Sequence, residues 1–203
     1  MVERKNSKGL KKQSVIARAA SKLFNRKGYL ETSMDDIAAM AKVSKGSLYY
    51  YFSTKEEILF FILDTYMELA LENLDSELEK IEEAFSKLRF FISRHVELYV
   101  NNLDEAKTLL HEGHCLSKNR REHIAEKERK YSRIVSGLIR DLFKGATMPS
   151  RDEITVMTFL LFGMCNWIYS WYSPKGPVTP DNLSQTVWRI YMEGVKGLGL
   201  AQK

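Results

Sequence analysis

The sequence predicts an all-α protein of about nine helices. Apolar residues recur at spacings of three and four along most of the chain, and no alternating pattern typical of a strand exceeds a few residues. Only four Pro and 11 Gly occur among 203 residues, so long stretches contain no helix breaker. The composition, with 44% hydrophobic and 28% charged residues, excludes a disordered chain, a collagen-like chain and a multi-span membrane protein.

The first predicted helix covers residues 12–27 and ends before Gly28, since glycine commonly stops a helix in this position. A basic segment without the apolar stretch of a secretory signal precedes it. This segment is either an arm that contacts DNA or a tail that only aids solubility, and the sequence leaves both possibilities open. Its cations are Arg4, Lys5, Lys8, Lys11 and Lys12.

Two short helices joined by a tight turn are predicted next. Ser33 with Asp36 forms a predicted capping box for one helix. Ser44 is the predicted N-cap of the other, which continues to Phe52. Small and apolar side chains in and around the turn are spaced as a helix-turn-helix requires. They are Ile37, Ala38, Ala41, Val43 and Leu48.

Longer helices are predicted in the rest of the chain. A capping box of Thr54 with Glu57, or of Ser53 with Glu56, begins a long one. Residues 154–172 include no charged side chain, and we interpret them as a buried helix of a bundle rather than as a membrane span. Further helices are predicted near residues 83–101, 104–112, 120–143, 150–172 and 180–197.

Positive charge is concentrated in the first quarter of the chain. Residues 1–55 contain 12 Lys and Arg against 4 Asp and Glu, a net charge of +8. The remaining residues contain 19 and 22, a net charge of −3, and the two parts sum to +5. A basic module attached to a slightly acidic body is typical of nucleic-acid binding when it coincides with a binding motif.

The third predicted helix carries groups that suit DNA. Its hydroxyl, amine and phenol groups can contact phosphates and bases, and Gly46 allows the backbone to approach base edges. The alternative is a purely structural helical hairpin whose tyrosines lie in the core. Three consecutive tyrosines cannot all face one core, because neighbours on a helix lie about 100° apart. We therefore expect Tyr49 or Tyr50 near the surface.

The run GYLETSMDDIAAMAKVSKGSLYYYFSTKEEIL resembles the DNA-binding domain of the TetR family of bacterial transcriptional regulators, and the resemblance covers residues 12–60. Residues 61–203 are similar in length and pattern to that family's helical ligand-binding domain. The resemblance implies a helix-turn-helix domain at 1–53 and a ligand-binding and dimerisation domain at 54–203. It also implies a cytoplasmic homodimer, nucleoid-associated when bound, that represses from a palindromic operator until a small hydrophobic effector releases it.

The resemblance assigns roles to residues by their position in the family motif. Lys45 and Gly46 are implied to contact bases. The implied phosphate-contacting and positioning set is Ser33, Ser44, Ser47, Tyr49, Tyr50, Tyr51 and Lys55. The chain departs from the family pattern at Lys42, where Gly is usual, and at Tyr51, where His is frequent. A positive φ at Lys42 would cost on the order of 1 kcal/mol.

The run from Asn166 to Pro174, followed by Gly176 and Pro177, resembles a TetR subgroup that responds to acyl-CoA thioesters. His95 is either a core histidine with satisfied hydrogen bonds or a polar group in a pocket. The candidate ligand-binding residues are His95, Tyr99, Phe162, Asn166, Trp167 and Trp171. Residues 118–133, at the start of the helix predicted near 120–143, carry seven cations. These either bind the ligand's phosphates or form ion pairs with Glu122, Glu126 and Glu128. They are Lys118, Arg120, Arg121, Lys127, Arg129, Lys130 and Arg133.

The remaining motifs define the alternatives. His111, His114 and Cys115 lie close in sequence and raise the possibility of a zinc site, which needs a fourth ligand. Cys115 and Cys165 are too few for a disulfide framework and are expected to be reduced thiols. Because no phosphate-binding loop, nucleophile elbow or paired-carboxylate motif occurs, we predict neither an enzyme nor a cofactor. The alternatives are a regulator that responds to another ligand, a metal or a protein partner, and an enzyme with an appended DNA-binding domain.

Overall fold

A computed structural model describes the backbone of residues 2–197 and the side chains of residues 9–197. Within residues 2–197 the chain forms ten α-helices and two short 3₁₀ helices, without a strand, so the all-α prediction is confirmed. The first five are α1 (Val2–Lys27), α2 (Met34–Ala41), α3 (Lys45–Tyr51), α4 (Lys55–Leu71) and α5 (Leu74–Glu79). The others are α6 (Ala84–Asn101), α7 (Leu103–Glu112), α8 (Lys118–Asp141), α9 (Arg151–Asn166) and α10 (Pro180–Lys196). The 3₁₀ helices are Gly113–Cys115 and Trp167–Ser170.

Helix α1 begins ten residues earlier than predicted, at Val2 rather than near residue 12. The predicted basic arm is therefore helical in its backbone from Val2 onward. Its segment contains no proline, and Gly9 alone is tolerated inside a helix. The side chains of Arg4, Lys5 and Lys8 lie outside the described residues, so the DNA contact predicted for this segment stays a prediction.

Helix α5 is an element that the sequence pattern did not predict. Asn73 separates it from α4 with a left-handed backbone (φ 54°). Asparagine adopts this conformation more readily than most residues, so the chain bends here without a glycine. Leu74 and Leu78 are buried on the new helix, which turns their apolar side chains into the core.

The uncharged helix was predicted to continue through Tyr172, but α9 ends at Asn166 and a 3₁₀ turn follows. The hydroxyl of Tyr99 on α6 donates a hydrogen bond of 2.7 Å to the carbonyl oxygen of Asn166. Asn166 is also the N-cap of the 3₁₀ helix Trp167–Ser170. The end of α9 is thus joined to α6 at the residue where the chain tightens.

The described residues fall into two compact units. Residues 2–68 and 102–126 form unit 1, and residues 69–101 and 127–197 form unit 2. Buried side chains of α1 to α4 centre unit 1, among them Phe24, Ile37 and Leu59. Phe91, Ile92 and Val135 are buried in unit 2. The domain boundary predicted between residues 53 and 54 stays a prediction.

Within residues 2–197, the helices are each too short or too polar to cross a lipid bilayer.

Candidate nucleic-acid interface and effector site

Helices α2 and α3 pack around a small apolar centre. Ile37 of α2 and Leu48 of α3 are fully buried, and Ala38 and Ala41 are buried beside them. The turn between the helices passes through Lys42, whose φ of 54° and ψ of 46° are left-handed. Lysine thus adopts the conformation for which glycine is favoured, so the condition under which a cost was expected at this position is met.

The predicted capping box at the start of α2 is confirmed. The Oγ atom of Ser33 accepts a hydrogen bond from the backbone N–H of Asp36 (3.1 Å), and Asp36 Oδ2 accepts from the Ser33 N–H (2.8 Å). Lys27 Nζ lies 2.7 Å from the same carboxylate oxygen. The hydrogen bond from Lys27, with those from Ser33, holds the pKa of Asp36 well below its usual range. The cap and the end of α1 are thereby joined through one carboxylate.

Helix α3 presents the residues predicted to contact DNA at its surface. Ser44 caps it by accepting from the Ser47 N–H at 3.1 Å, as predicted. Tyr50 is 82% exposed and Tyr49 is 51% exposed, which confirms the expectation that one of them lies near the surface. Tyr51 is half-buried, with its ring edge-on to Tyr50 at 5.0 Å between centroids.

Gly46 lies on the same surface with open space around it. A Cβ atom built there would meet no atom within 4 Å outside its own helix turn. Packing within the protein therefore gives no reason for a glycine at this position. The absence of a side chain leaves the backbone accessible to an approaching surface.

Lys45 is held by an acidic partner on the preceding helix. Its Nζ atom lies 2.6 Å from Oδ2 of Asp35, and both side chains are mostly exposed. The hydrogen bond to Asp35 raises the pKa of Lys45. Sequence reasoning missed this pairing because the two residues lie on different helices and share no periodic spacing.

Lys55 makes a set of contacts that the sequence did not indicate. Its ammonium donates to the carbonyl oxygens of Tyr29 (2.6 Å), Leu30 (3.1 Å) and Thr32 (2.7 Å). It also lies 4.3 Å from the centroid of the Tyr29 ring. Burial lowers the pKa of Lys55. The ammonium thus closes the loop between α1 and α2, and the phosphate contact predicted for it stays a prediction.

A second set of contacts ties the start of α8 to α4 within unit 1. Glu56 Oε1 accepts from the Ser117 N–H at 2.9 Å and lies 3.5 Å from Arg120 Nη1. This N–H lowers the pKa of Glu56. His123 Nε2 lies 2.7 Å from Asp64 Oδ1 one turn further along. Arg120, one of the predicted phosphate cations, is thus engaged by Glu56 rather than by the predicted glutamates of its own helix.

A buried aromatic cluster in unit 2 surrounds His95. The Nδ1 atom of His95 lies 2.8 Å from the Tyr131 hydroxyl, and its ring stacks on Phe91 with centroids 5.7 Å apart. Phe162 and Tyr99 lie 5.8 and 6.1 Å from the imidazole, centroid to centroid. Burial lowers the pKa of His95 to about 4, and the nearby Asn166 side chain offsets part of this effect.

One atom of this cluster lacks a partner. His95 Nε2 is buried and makes no hydrogen bond of good geometry with a described residue, although the Asn166 side chain lies near enough to oppose the effect of burial on the imidazole pKa. An unpaired buried nitrogen is costly, so a polar atom of a bound molecule would be stabilised there. This is the feature that distinguishes the His95 site from ordinary aromatic core.

The structure gathers four of the six predicted ligand-binding residues. His95, Tyr99 and Phe162 are buried together, and the Asn166 carbonyl accepts from Tyr99. Trp167 and Trp171 are instead 63% and 53% exposed, so they lie on the surface of the unit. Two further residues of the site, Phe91 and Tyr131, were not predicted. Phe91 lies four residues before His95 on one helix face, but no sequence pattern connects Tyr131 to them.

Helix α9 carries an exposed apolar face. Its capping box of Ser150 with Glu153 is confirmed. Several apolar side chains on one side of α9 are mostly exposed to solvent, and Ile190 on α10 is exposed as well. Contiguous exposed apolar surface of this kind commonly marks an interaction site. The exposed residues are Val156, Phe159 and Leu160 of α9 and Trp167 of the 3₁₀ helix that follows it.

The cluster around Cys115 shows one close contact. Cys115 Sγ lies 3.4 Å from His114 Nε2 and 3.8 Å from a carboxylate oxygen of Glu112. Among the described residues, no three His, Cys, Asp or Glu side chains are placed to hold a metal ion. The geometry therefore gives the zinc alternative no support. Both cysteines are free thiols.

Two family models match the chain. Residues 16–61 match the model described as bacterial regulatory proteins of the tetR family, which contains the helix-turn-helix. Residues 82–195 match the model described as the tetracyclin repressor-like C-terminal domain. The second match alone spans more than half of the chain.

Individual relatives agree with these matches. The transcriptional repressor KstR2 of Mycobacterium tuberculosis is 25% identical over 190 residues, covering 89% of this chain and 91% of that protein. A TetR-family regulator from Bordetella parapertussis is 30% identical, with a TM-score of 0.84 and coverage of 89% and 94%. AibR, solved with isovaleryl coenzyme A and operator DNA, is 28% identical, with a TM-score of 0.75 and coverage of 88% and 97%. The chain belongs to the TetR family of DNA-binding transcriptional regulators, which are not enzymes.

Proposed function

We propose that this protein is a homodimeric repressor that binds a palindromic operator and is released from it by a small hydrophobic effector, an acyl-CoA thioester. The observation that carries the effector is the unpartnered Nε2 atom of His95 in its aromatic cluster. As a bacterial regulator the protein would act in the cytoplasm, on the nucleoid when bound to DNA.

The DNA-binding part of the proposal rests on α3. Lys45 and Gly46 lie at its exposed start, where they would contact base edges in the major groove. The two copies of α3 in a dimer would lie about 34–36 Å apart, one turn of DNA. The surrounding phosphate-contacting and positioning residues would be Ser33, Ser44, Ser47, Tyr49, Tyr50, Tyr51 and Lys55.

The effector part rests on the chemistry of the His95 site. When the Tyr131 hydroxyl donates to Nδ1, the neutral imidazole carries its proton on Nε2. That N–H can donate to the carbonyl oxygen of a thioester, and Phe91 and Phe162 offer apolar surface to the acyl group. The low pKa of His95 keeps the imidazole neutral in this role at neutral pH. The relative AibR, crystallised with isovaleryl coenzyme A, supports an acyl-CoA as the class of ligand.

Dimerisation is assigned to α9 and α10. The exposed apolar residues Val156, Phe159 and Leu160 of α9, together with the exposed Ile190 of α10, would meet the same residues of a second copy. Such an isologous four-helix contact buries in both copies the side chains that one copy leaves exposed. The effector would favour a dimer geometry with lower affinity for DNA, which requires that it bind the two states differently.

The test is a fluorescence anisotropy titration on a labelled duplex from upstream of the protein's own gene, at fixed salt. Short-chain, medium-chain, long-chain and aromatic acyl-CoAs are added in turn. Release of DNA by one class, and its loss in His95→Phe, is the expected result. Tight specific binding that no acyl-CoA reverses would contradict the effector assignment and point to another ligand, a metal or a protein partner. Failure to bind any upstream duplex more tightly than unrelated DNA would contradict the presence of an operator in that region.

A further inference from the structure

A groove of about 680 Å³ lies between α6 and α10, and its lining includes no residue of the His95 cluster. Its size falls in the range typical of small-molecule sites. The residues that matter here are Phe85 and Arg89 of α6 and Trp188, Arg189, Glu193 and Lys196 of α10. All belong to unit 2.

The groove combines excess positive charge with two arginines for which the described residues provide no partner. Lys196 Nζ pairs with Glu193 Oε1 at 2.9 Å. Arg89 and Arg189 make no hydrogen bond or ion pair with any residue whose side chain is described. Three cations and one carboxylate give this lining a net charge of +2. Two guanidinium groups without local partners suit a ligand with phosphate oxygens, which they can bind in a bidentate manner.

Aromatic side chains lie beside these cations. Phe85 is 39% exposed and Trp188 is half-buried, so both offer ring surface to the groove. Flat rings next to phosphate-binding cations are the combination that nucleotides use, because a base stacks on an aromatic side chain while its phosphates take the charges. An inorganic anion would use only the arginines.

We propose that this groove binds an adenine nucleotide with several phosphate groups, its base against Trp188 or Phe85 and its phosphates on Arg89 and Arg189. The identity of the nucleotide rests on the proposed function, because the adenosine 3′,5′-bisphosphate group of coenzyme A is such a ligand. Arg89 precedes His95 by six residues on α6, a rise of about 9 Å along the helix. The two side chains also lie about 120° apart around the helix axis, so a molecule that reaches both sites must pass around α6 from the groove to His95.

A second copy of the chain is a poorer occupant of this groove. Successive residues on a helix point about 100° apart, so Arg189 and the exposed Ile190 face different directions from α10. Glu193 lies three residues after Ile190 on the same side of α10, so the groove borders the apolar face proposed for dimerisation, whereas Arg189 points away from that face. The charged lining of the groove also differs from the apolar lining that a homodimer contact prefers.

The test is isothermal titration calorimetry of the full-length protein with adenosine 3′,5′-bisphosphate, coenzyme A and inorganic phosphate as probes. We expect both nucleotides to bind far more tightly than phosphate. Arg89→Ala and Arg189→Ala should each weaken nucleotide binding by about tenfold. The matched control is Arg140→Ala, an exposed arginine at the end of α8, which should bind as the wild type does. Nucleotide binding should also change the Trp188 fluorescence, a change that Trp188→Phe removes.

Several outcomes would overturn the inference. These are no nucleotide binding, binding that neither arginine variant weakens, phosphate binding as tight as nucleotide binding, or dissociation of the dimer by Arg189→Ala in sedimentation. Circular dichroism confirms that each variant is folded, which is expected because both arginines are exposed.

The groove and the proposed effector can fail separately. If acyl-CoA releases DNA equally from the wild type and from the double variant Arg89→Ala/Arg189→Ala, the effector proposal stands and the groove assignment is wrong. If adenosine 3′,5′-bisphosphate binds through the arginines while no acyl-CoA releases DNA, the groove assignment stands and the effector proposal is wrong.

Discussion

The ammonium of Lys45 lies 2.6 Å from Oδ2 of Asp35, so the lysine proposed to contact bases is paired with a carboxylate of the preceding helix. Both groups are exposed, and pairs of this kind contribute little to stability because water and salt screen them. The pair matters instead for DNA binding, since Lys45 must leave Asp35 before it can reach a base. Asp35 also places a negative charge on the surface that faces DNA in the proposed complex.

We first predict that Asp35→Asn binds DNA more tightly than the wild type. The amide keeps the size of the side chain but removes the charge that competes for Lys45. The expected gain is roughly two- to fivefold at low salt, and it should shrink as salt rises. Anisotropy titrations at three salt concentrations measure it. Asp75→Asn, which removes an exposed carboxylate paired with Lys130 in unit 2, is the control. Weaker binding by Asp35→Asn would show that the carboxylate positions Lys45 for DNA.

We next predict that Lys45→Ala loses affinity for the operator and changes base preference. The loss should be about tenfold on the operator and much smaller on unrelated duplexes, because a base contact contributes mainly to specific binding. Competition with duplexes mutated at single positions shows where preference has relaxed. Lys80→Ala, an exposed lysine of unit 2, should bind as the wild type does. An equal loss on all duplexes would assign Lys45 to a phosphate instead.

For Lys55→Met we predict a loss of stability. The variant leaves the carbonyls of Tyr29, Leu30 and Thr32 without their donor. The expected decrease in the free energy of unfolding is about 1–2 kcal/mol, because the ammonium is only partly buried and water replaces part of its contacts. Thermal unfolding measures it, with Lys22→Met on the exposed face of α1 as control. If the melting temperature is unchanged and the slope of log DNA affinity against log salt concentration is smaller by about one, Lys55 contacts a phosphate instead.

Acid should destabilise the protein through His95. Its pKa is about 4 in the folded chain, mainly through burial, whereas an unfolded chain binds a proton near pH 6.5. Between these values the unfolded state holds the additional proton, so stability is full above pH 6.5 and falls as the pH decreases towards 4. The loss amounts to about 3 kcal/mol when complete.

Urea midpoints at several pH values test this dependence. His95→Gln should reduce the loss of unfolding free energy between pH 6.5 and 4. His114→Gln, which replaces an exposed histidine, should leave that loss unchanged. An NMR titration of the His95 imidazole provides a second measurement that needs no variant. A midpoint near 6.5 in that titration would contradict the prediction.

Charge on the α9 face should dissociate the proposed dimer. Leu160→Glu introduces a carboxylate at a position that is 61% exposed in one copy and would be buried between two. Burying an unpaired charge is costly, so the dimer should become monomeric at micromolar concentration and lose operator affinity. Sedimentation velocity measures the change. Leu110→Glu, at an exposed leucine of α7 in unit 1, should remain dimeric. A dimer unaffected by Leu160→Glu would place the interface elsewhere.

Local signals in the sequence predicted local features well. The caps at Ser33, Ser44 and Ser150 form as expected, because each involves groups within three residues of one another. For Lys42 the sequence provided only a condition, a cost if φ is positive, and the structure shows that φ is positive. Helix ends without such a signal, at Val2 and at Asn166, were predicted wrongly.

By itself the sequence determined the all-helical fold, the helix-turn-helix with Lys45 and Gly46 on its third helix, and the family. Those features depend on spacings of a few residues, which a single chain displays directly. Only the tertiary structure decided that Lys55 closes the loop at Tyr29, that His95 meets Tyr131, and that Tyr99 bonds to Asn166 at the end of α9. These partners lie 26, 36 and 67 residues apart in the chain. No periodicity links residues so far apart, because packing of the helices alone brings them into contact.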